Sequence, residues 1–140
     1  FFAHGASGLI VAECAQDAAA LLMLGRTVRD RGDRAQAETL FRRAIEVNPF
    51  FRLEPSVDLA KLLLEDGRHA EAKIIAHTAL TRRSPAAVDH NNNVSELLTL
   101  LAVAELELHE PDAAKAHVEE ALLFNKDSER AASLLHTAFP

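Results

Sequence analysis

The stretch from Gly32 to Ile45 returns at Gly67 to Leu80, an offset of 35 residues, with a turn glycine and regularly placed alanines in the same positions. A third copy starts at His109-Glu110-Pro111-Asp112-Ala113-Ala114 and runs through Val118 to Ala121-Leu122, displaced by 42 residues from the second. Recurrence at this period requires a unit that hides its apolar side only against its neighbours, because one such unit is too small to own a core. The longer second offset places extra residues between copies two and three.

Each copy reads as two amphipathic helices joined by a tight turn. In copy one, Leu21, Leu24 and Val28 stand three and four apart, as do Ala37, Phe41 and Ala44, so each set lines one helical face. Gly32 and Gly67 supply the left-handed backbone that stops a helix, Asp33 with Gln36 resembles a capping box, and Pro111 suits a first helical position. With alanine and leucine dominant and only five glycines and five prolines in 140 residues, the composition favours helix over sheet.

Copy one carries Leu24-Gly25, Gly32, Ala37, Phe41, Ala44 and Pro49 at spacings that resemble the signature of the tetratricopeptide repeat family. Copy two keeps Leu59-Ala60, Gly67, Ala72 and Ala79, with Ala76 where a large residue is usual and the proline one place late at Pro85. Copy three keeps Leu101-Ala102, Ala114, Val118 and Ala121, with His109 in the turn glycine's place and Lys126 in the proline's. The match spans about Ala18 to Lys126. The resemblance implies an all-α fold: a right-handed α-solenoid of about three helical hairpins plus a C-terminal capping helix. Gly25, Ala60 and Ala102 are small in this pattern so that paired helices approach closely.

The expected organisation is one domain: an N-terminal extension over 1–17, repeats at 18–50, 53–85 and 95–126, an inserted loop at 86–94, and a capping helix at 127–140. Ala132, Leu135 and Phe139 form the cap's apolar stripe. Leu9 to Asp17 either extends the first helix backward or folds as a separate shield, with Ser7 as a candidate start. In the insert, Asn93 with Glu96 would cap the following helix. Phe1-Phe2 at the start, without methionine or a basic leader, suggests a processed protein or a piece of a longer one.

Chemistry is sparse. The formal charge of −6 is the wrong sign for a general polyanion binder, and Arg42-Arg43 and Arg82-Arg83 fall late in helices, where cations complement the dipole; nucleic acid is not an expected partner. The apolar runs Ala18 to Leu24 and Leu97 to Val103 fall short of the roughly 20 residues of a membrane span, so no membrane insertion is expected. Cys14 is the single cysteine, reads as a small core residue, and leaves the compartment open, with the cytoplasm preferred to the periplasm. Among seven histidines, His69 and His77 are eight apart, as are His109 and His117, about 12 Å along a helix and too far to share an ion. No phosphate loop, nucleophile elbow or His-Glu-x-x-His helix is present. The expectation is no enzyme, no cofactor, no metal and no catalytic residue.

What remains is binding. In the family this chain resembles, the first helices of the repeats line a groove for an extended peptide or a helix. The corresponding residues here are Leu22, Met23, Arg26 and Arg29; Val57, Asp58, Lys61, Leu64 and Glu65; and Glu96, Thr99, Leu100, Val103, Leu106 and Glu107. One subgroup of the family clamps the acidic C-terminal tails of heat-shock chaperones with a lysine, asparagine and arginine set. The equivalent slots here hold Leu22, Arg26, Asp58, Glu96 and Leu100, which disfavours such tails and suits a ligand with an apolar stripe and a few basic residues. The chain's own Phe1 to Val11 is another possible occupant. The expected function is a protein-protein interaction module binding a protein or peptide partner, part of a larger bacterial protein because 11 arginines against four lysines suggest GC-rich coding. The alternative is a homo-oligomer or assembly scaffold joined through exposed solenoid ends.

Overall fold

The computed structural model describes residues 17–47, 52–82 and 91–139, and among them every regular element is a helix. In chain order these are α1 (Ala18–Asp30), α2 (Arg34–Val47), α3 (Glu54–Glu65), α4 (His69–Arg82), α5 (Asn91–Glu107), α6 (Pro111–Phe124) and α7 (Glu129–Ala138). Each helix packs on the next. The odd-numbered helices also pack on one another, α1 on α3, α3 on α5 and α5 on α7, which makes a stack of hairpins, an all-α helical-repeat solenoid.

The three bends are built alike. Gly32 has φ 92°, Gly67 φ 76° and His109 φ 63°, so all three stand in left-handed backbone at the same place in their hairpins. In each, the amide after the bend reaches back five residues: Asp33 N–H to Val28 O at 2.9 Å, Arg68 to Leu63 at 2.8 Å, and Glu110 to Glu105 at 2.8 Å. This closure explains why only half of the expected capping box forms. Asp33 Oδ1 accepts from the Gln36 amide at 3.1 Å, but the Asp33 N–H that Gln36 would need is already held by Val28.

Helix starts are equally local. Asp17, in extended backbone, accepts from the Ala19 and Ala20 amides at 3.0 and 3.2 Å, so α1 begins at Ala18 and is not a continuation of a longer helix. Ser128 caps α7 through the Ala131 amide at 3.2 Å. α5 begins at Asn91, earlier than expected: Asn93 lies inside the helix instead of capping it, and 91–94 are helix where an inserted loop was expected. The asparagine run carries loop propensity, but the buried Val94, Leu97, Leu98 and Leu101 give it an apolar face to pack, and packing outweighs propensity. Cys14, Ser7, Phe1 to Val11, Pro49 and Pro85 lie outside the described residues.

The core runs along the stack as three clusters of buried residues, joined through the half-buried Val28, Leu64 and Ile75. Ala18, Leu21, Leu40 and Ala44 fill hairpin one; Leu22, Phe41, Leu59, Leu62 and Leu63 join it to hairpin two; Leu53, Ala60, Ala76, Leu97, Leu101, Val118 and Ala131 continue through hairpin three to α7. Gly25 shows what smallness is for: a Cβ built on it would stand 2.6 Å from Phe41 Cε1 and 2.8 Å from Cδ1. At the same 16-residue spacing the other hairpins place Ala60 with Ala76 and Ala102 with Val118, all buried. A smaller partner on the second helix goes with a methyl on the first. On α7 the buried residue is Ala131, and Leu135 and Phe139 of the expected stripe pack beside it together with Leu134, whereas Ala132 faces solvent and Ala131 takes its place in the core.

Candidate functional site

Ion pairs tie the odd-numbered helices together across one face. Asp58 on α3 accepts from Arg26 Nε at 2.7 Å and lies 3.6 Å from Arg29 Nη1, both on α1. Its side chain is only 8% exposed, so two guanidinium groups replace the water it has lost. One hairpin further on, Glu96 on α5 lies 4.0 Å from Lys61 Nζ on α3 and 2.9 Å from Arg130 Nη1 on α7. Each of these acids is shared by two cations, and the pairs pin every hairpin to the next.

Between α3, α5 and α7 the stack leaves an open cleft of about 280 Å³, lined by Lys61, Leu64, Glu65, Leu100, Val103 and Arg130. Its walls are apolar in the middle. Lys61 and Arg130 mark one part of the rim. Glu65 stands one helical turn along from Lys61, with its carboxylate 3.2 Å from Arg34 of α2.

Further polar contacts join the helices within and between hairpins. Arg34 also holds Asp66 at 2.8 Å and donates to Leu62 O at 3.1 Å. Arg68 bridges Glu38 and Glu71, and Arg42 joins the same pair. The Arg68 hydrogen bond holds the Glu38 carboxyl below its ordinary range, with Arg42 adding to it and burial opposing both. Lys73 donates to Glu110 at 2.6 Å, and that bond raises the ammonium's pKa. His117 Nδ1 is 2.6 Å from the buried Glu105, and His69 Nε2 is 3.8 Å from Glu107. Among the described residues no group of three or more His, Cys, Asp or Glu is arranged to hold a metal ion. No described helix is long and apolar enough to cross a membrane.

Of the residues picked out from the sequence, Lys61, Leu64, Glu65, Leu100 and Val103 meet in the cleft, and Glu96 stands at its cationic end. Leu22, Val57 and Thr99 are buried instead: Leu22 packs in the core of hairpins one and two, Val57 in that of two and three, and the Thr99 hydroxyl donates to Ser95 O at 2.8 Å. Asp58 is likewise inaccessible, and Arg26 and Arg29 are engaged by it. Leu106 packs against the core cluster, and Glu107 pairs with His69. Met23 is 67% exposed on α1 and does not line the cleft. A helical period tells which way a side chain points but not how far the adjacent hairpin covers it. Arg130 was missed because α7 reads as a lid. The repeat carried the signal, since Arg130 follows Glu96 by 34 residues and so falls at its equivalent place one unit on.

The profile of a tetratricopeptide repeat family matches residues 18–48. A search of curated proteins finds no match. Among solved structures, the first tetratricopeptide domain of Spaghetti (RPAP3) bound to the HSP90 peptide SRMEEVD is similar at 16% identity, with TM-score 0.73, over 87% of this chain and 90% of that one. The N-terminal domain of stress-induced protein-1 from C. elegans is similar at 18% identity, TM-score 0.69, over 87% and 95%. The second tetratricopeptide domain of human RPAP3, in complex with the HSP70 peptide SGPTIEEVD, is similar at 19% identity, TM-score 0.66, over 80% and 86%. The repeat that the profile matches is the hairpin in which Gly25 meets Phe41, and the stack built on it has the same fold as those tetratricopeptide domains.

Proposed function

We propose that this chain is a protein-protein interaction module that holds a peptide or helix of a partner along the face formed by α1, α3, α5 and α7, and that it belongs to a larger bacterial protein. The observation that carries this reading is the open cleft between α3, α5 and α7, whose apolar lining and flanking charges suit a side-chain-bearing segment and offer no constellation for catalysis. Two of the similar domains were solved with HSP90 and HSP70 peptides, which supports the same use of the fold here. Their tails themselves are a poor fit. Leu22 and Leu100 are buried and Asp58 is saturated by Arg26 and Arg29, so the slots that would clamp a terminal carboxylate offer no free cation.

The test is a pull-down from lysate with the intact chain beside the Lys61→Glu, Leu64→Glu double variant, with far-UV circular dichroism to show that both are folded. Proteins lost with the variant are the expected partners. Recovery of the same proteins by both would remove the cleft from the interaction.

A second reading, self-association, draws on Ile74 and Leu123, which are 61% and 85% exposed on the even-numbered helices and not at the ends of the stack. Light scattering over a dilution series separates the two: a mass that falls on dilution supports self-association, and a constant monomer mass excludes it.

A further inference from the structure

From the charge arrangement around the cleft, and resting on the reading of it as a peptide site, we infer that its occupant is a segment carrying an acidic side chain next to aliphatic ones. The aliphatic residues would lie on Leu64 and Val103, and the carboxylate would lie between Lys61 and Arg130.

In the sequence the acids on this face outweigh the cations, which argues for a basic ligand. The structure alters that balance at one part of the rim. Asp58 is shielded beneath Arg26 and Arg29, and Glu65, one helical turn from Lys61, pairs with an Arg34 that Asp66 also holds. At the rim itself one carboxylate, Glu96, serves two cations. Its contacts are unequal: Arg130 is bonded at 2.9 Å, while Lys61 stands at 4.0 Å, the far limit of an ion pair. The Lys61 ammonium is therefore the less firmly held of the two, and both side chains reach solvent, at 35% and 52% exposure. A ligand carboxylate placed between them completes a two-cation, two-anion arrangement, whereas a ligand cation there would meet two like charges. The apolar patch begins beside Lys61, since Leu64 lies three residues along the same face of α3 and Val103 and Leu100 come from α5. This places the acid and its aliphatic neighbours side by side.

The experiment is a titration of the isotope-labelled full chain, followed by amide chemical shifts, with three blocked heptapeptides at up to millimolar concentration. Their sequences are Ala-Gln-Leu-Glu-Leu-Gln-Ala and the same with Gln or Lys in place of the central Glu; blocked ends remove terminal charges. The expected result is shifts around Lys61, Leu64, Val103 and Arg130, with the Glu peptide about fivefold tighter than the Gln peptide and the Lys peptide weakest, as one solvent-exposed ion pair allows. In Lys61→Gln the Glu and Gln peptides should bind alike, and raised salt should close the gap in the unaltered chain. If all three peptides shift the same cleft residues with equal affinity, or if the Lys peptide is preferred, the acid preference is overturned and the peptide site stands. If none shifts the cleft residues, both fall.

Discussion

Gly25 and Phe41 offer a test of whether size complementarity within a hairpin sets the stability of this stack. Replacing Gly25 by alanine has two opposed effects. Alanine is the better helix former by about 1 kcal/mol. Against that, the new methyl would overlap the Phe41 ring, with 2.6 and 2.8 Å to two ring carbons where ordinary contact starts near 3.4 Å. Phe41 is fully buried, so the ring has nowhere to move, and overpacking of this kind costs roughly 1 to 3 kcal/mol. The net expectation for Gly25→Ala is a loss of about 1 kcal/mol. Phe41→Val removes the ring and copies the Ala102 with Val118 arrangement of hairpin three; alone it should lose about 2 to 3 kcal/mol, less than the roughly 3 to 5 of full truncation to alanine. In that background Gly25→Ala should become stabilising by about 1 kcal/mol, because the helix gain remains and the overlap is gone. The sign change is a coupling of about 2 kcal/mol, within the range expected for side chains in contact. Urea unfolding followed by far-UV circular dichroism is the suitable assay, since the chain has no tryptophan or tyrosine. An effect of Gly25→Ala that is the same in both backgrounds would refute the packing argument.

Gly32 and Gly67 have open space around a prospective Cβ, so Gly32→Ala or Gly67→Ala should lose about 1 to 2 kcal/mol purely through left-handed backbone, while His109→Gly should gain about 0.5 to 1 kcal/mol; equal signs in urea unfolding would contradict this. Asp58→Asn should lose about 1 kcal/mol, because it leaves two part-exposed arginines in water, whereas Arg26→Ala with Arg29→Ala should lose about 3 kcal/mol by stranding a buried carboxylate; thermal melts showing the reverse order would remove Asp58 from its bridging role. Arg68 holds the Glu38 carboxyl below its ordinary 4.5, so the native state binds that proton less readily than the unfolded chain. Its contribution is full above about pH 4.5 and is lost as pH falls below it; Glu38→Gln should flatten acid unfolding there by up to about 1 kcal/mol, and an unchanged profile would count against the Arg68 contact.

Much of the fold is legible in the order of residues along the chain. The offset from Gly32 to Gly67, the spacing of Ala37, Phe41 and Ala44, and the turn chemistry of Asp33 and Pro111 are local properties, each readable within a few residues of chain. His109 was legible for the same reason: its position in the repeat, not its residue type, predicted a bend. The start of α5 was less legible, because the asparagines around position 93 have loop propensity and the Val94, Leu97, Leu101 face that outweighs it is covered by α4 and α6, which lie beyond the few residues that local propensity reads.

The candidate site divides along the same line. Helical periodicity puts Lys61, Leu64, Leu100 and Val103 toward one side of the stack, since direction around a helix follows from position along it, and all four line one cleft. It could not show that Leu22, Val57 and Thr99 on that side are covered, nor that Asp58 and Glu96 are each shared by two cations, nor that Arg130 of the terminal helix completes the cleft. Burial and pairing depend on how far one hairpin overlaps the next, a sum of many weak contacts between residues some 30 or more positions apart. Order along the chain therefore determined the elements and their facing, and the stacking of hairpins alone decided which side chains remain free to meet a partner.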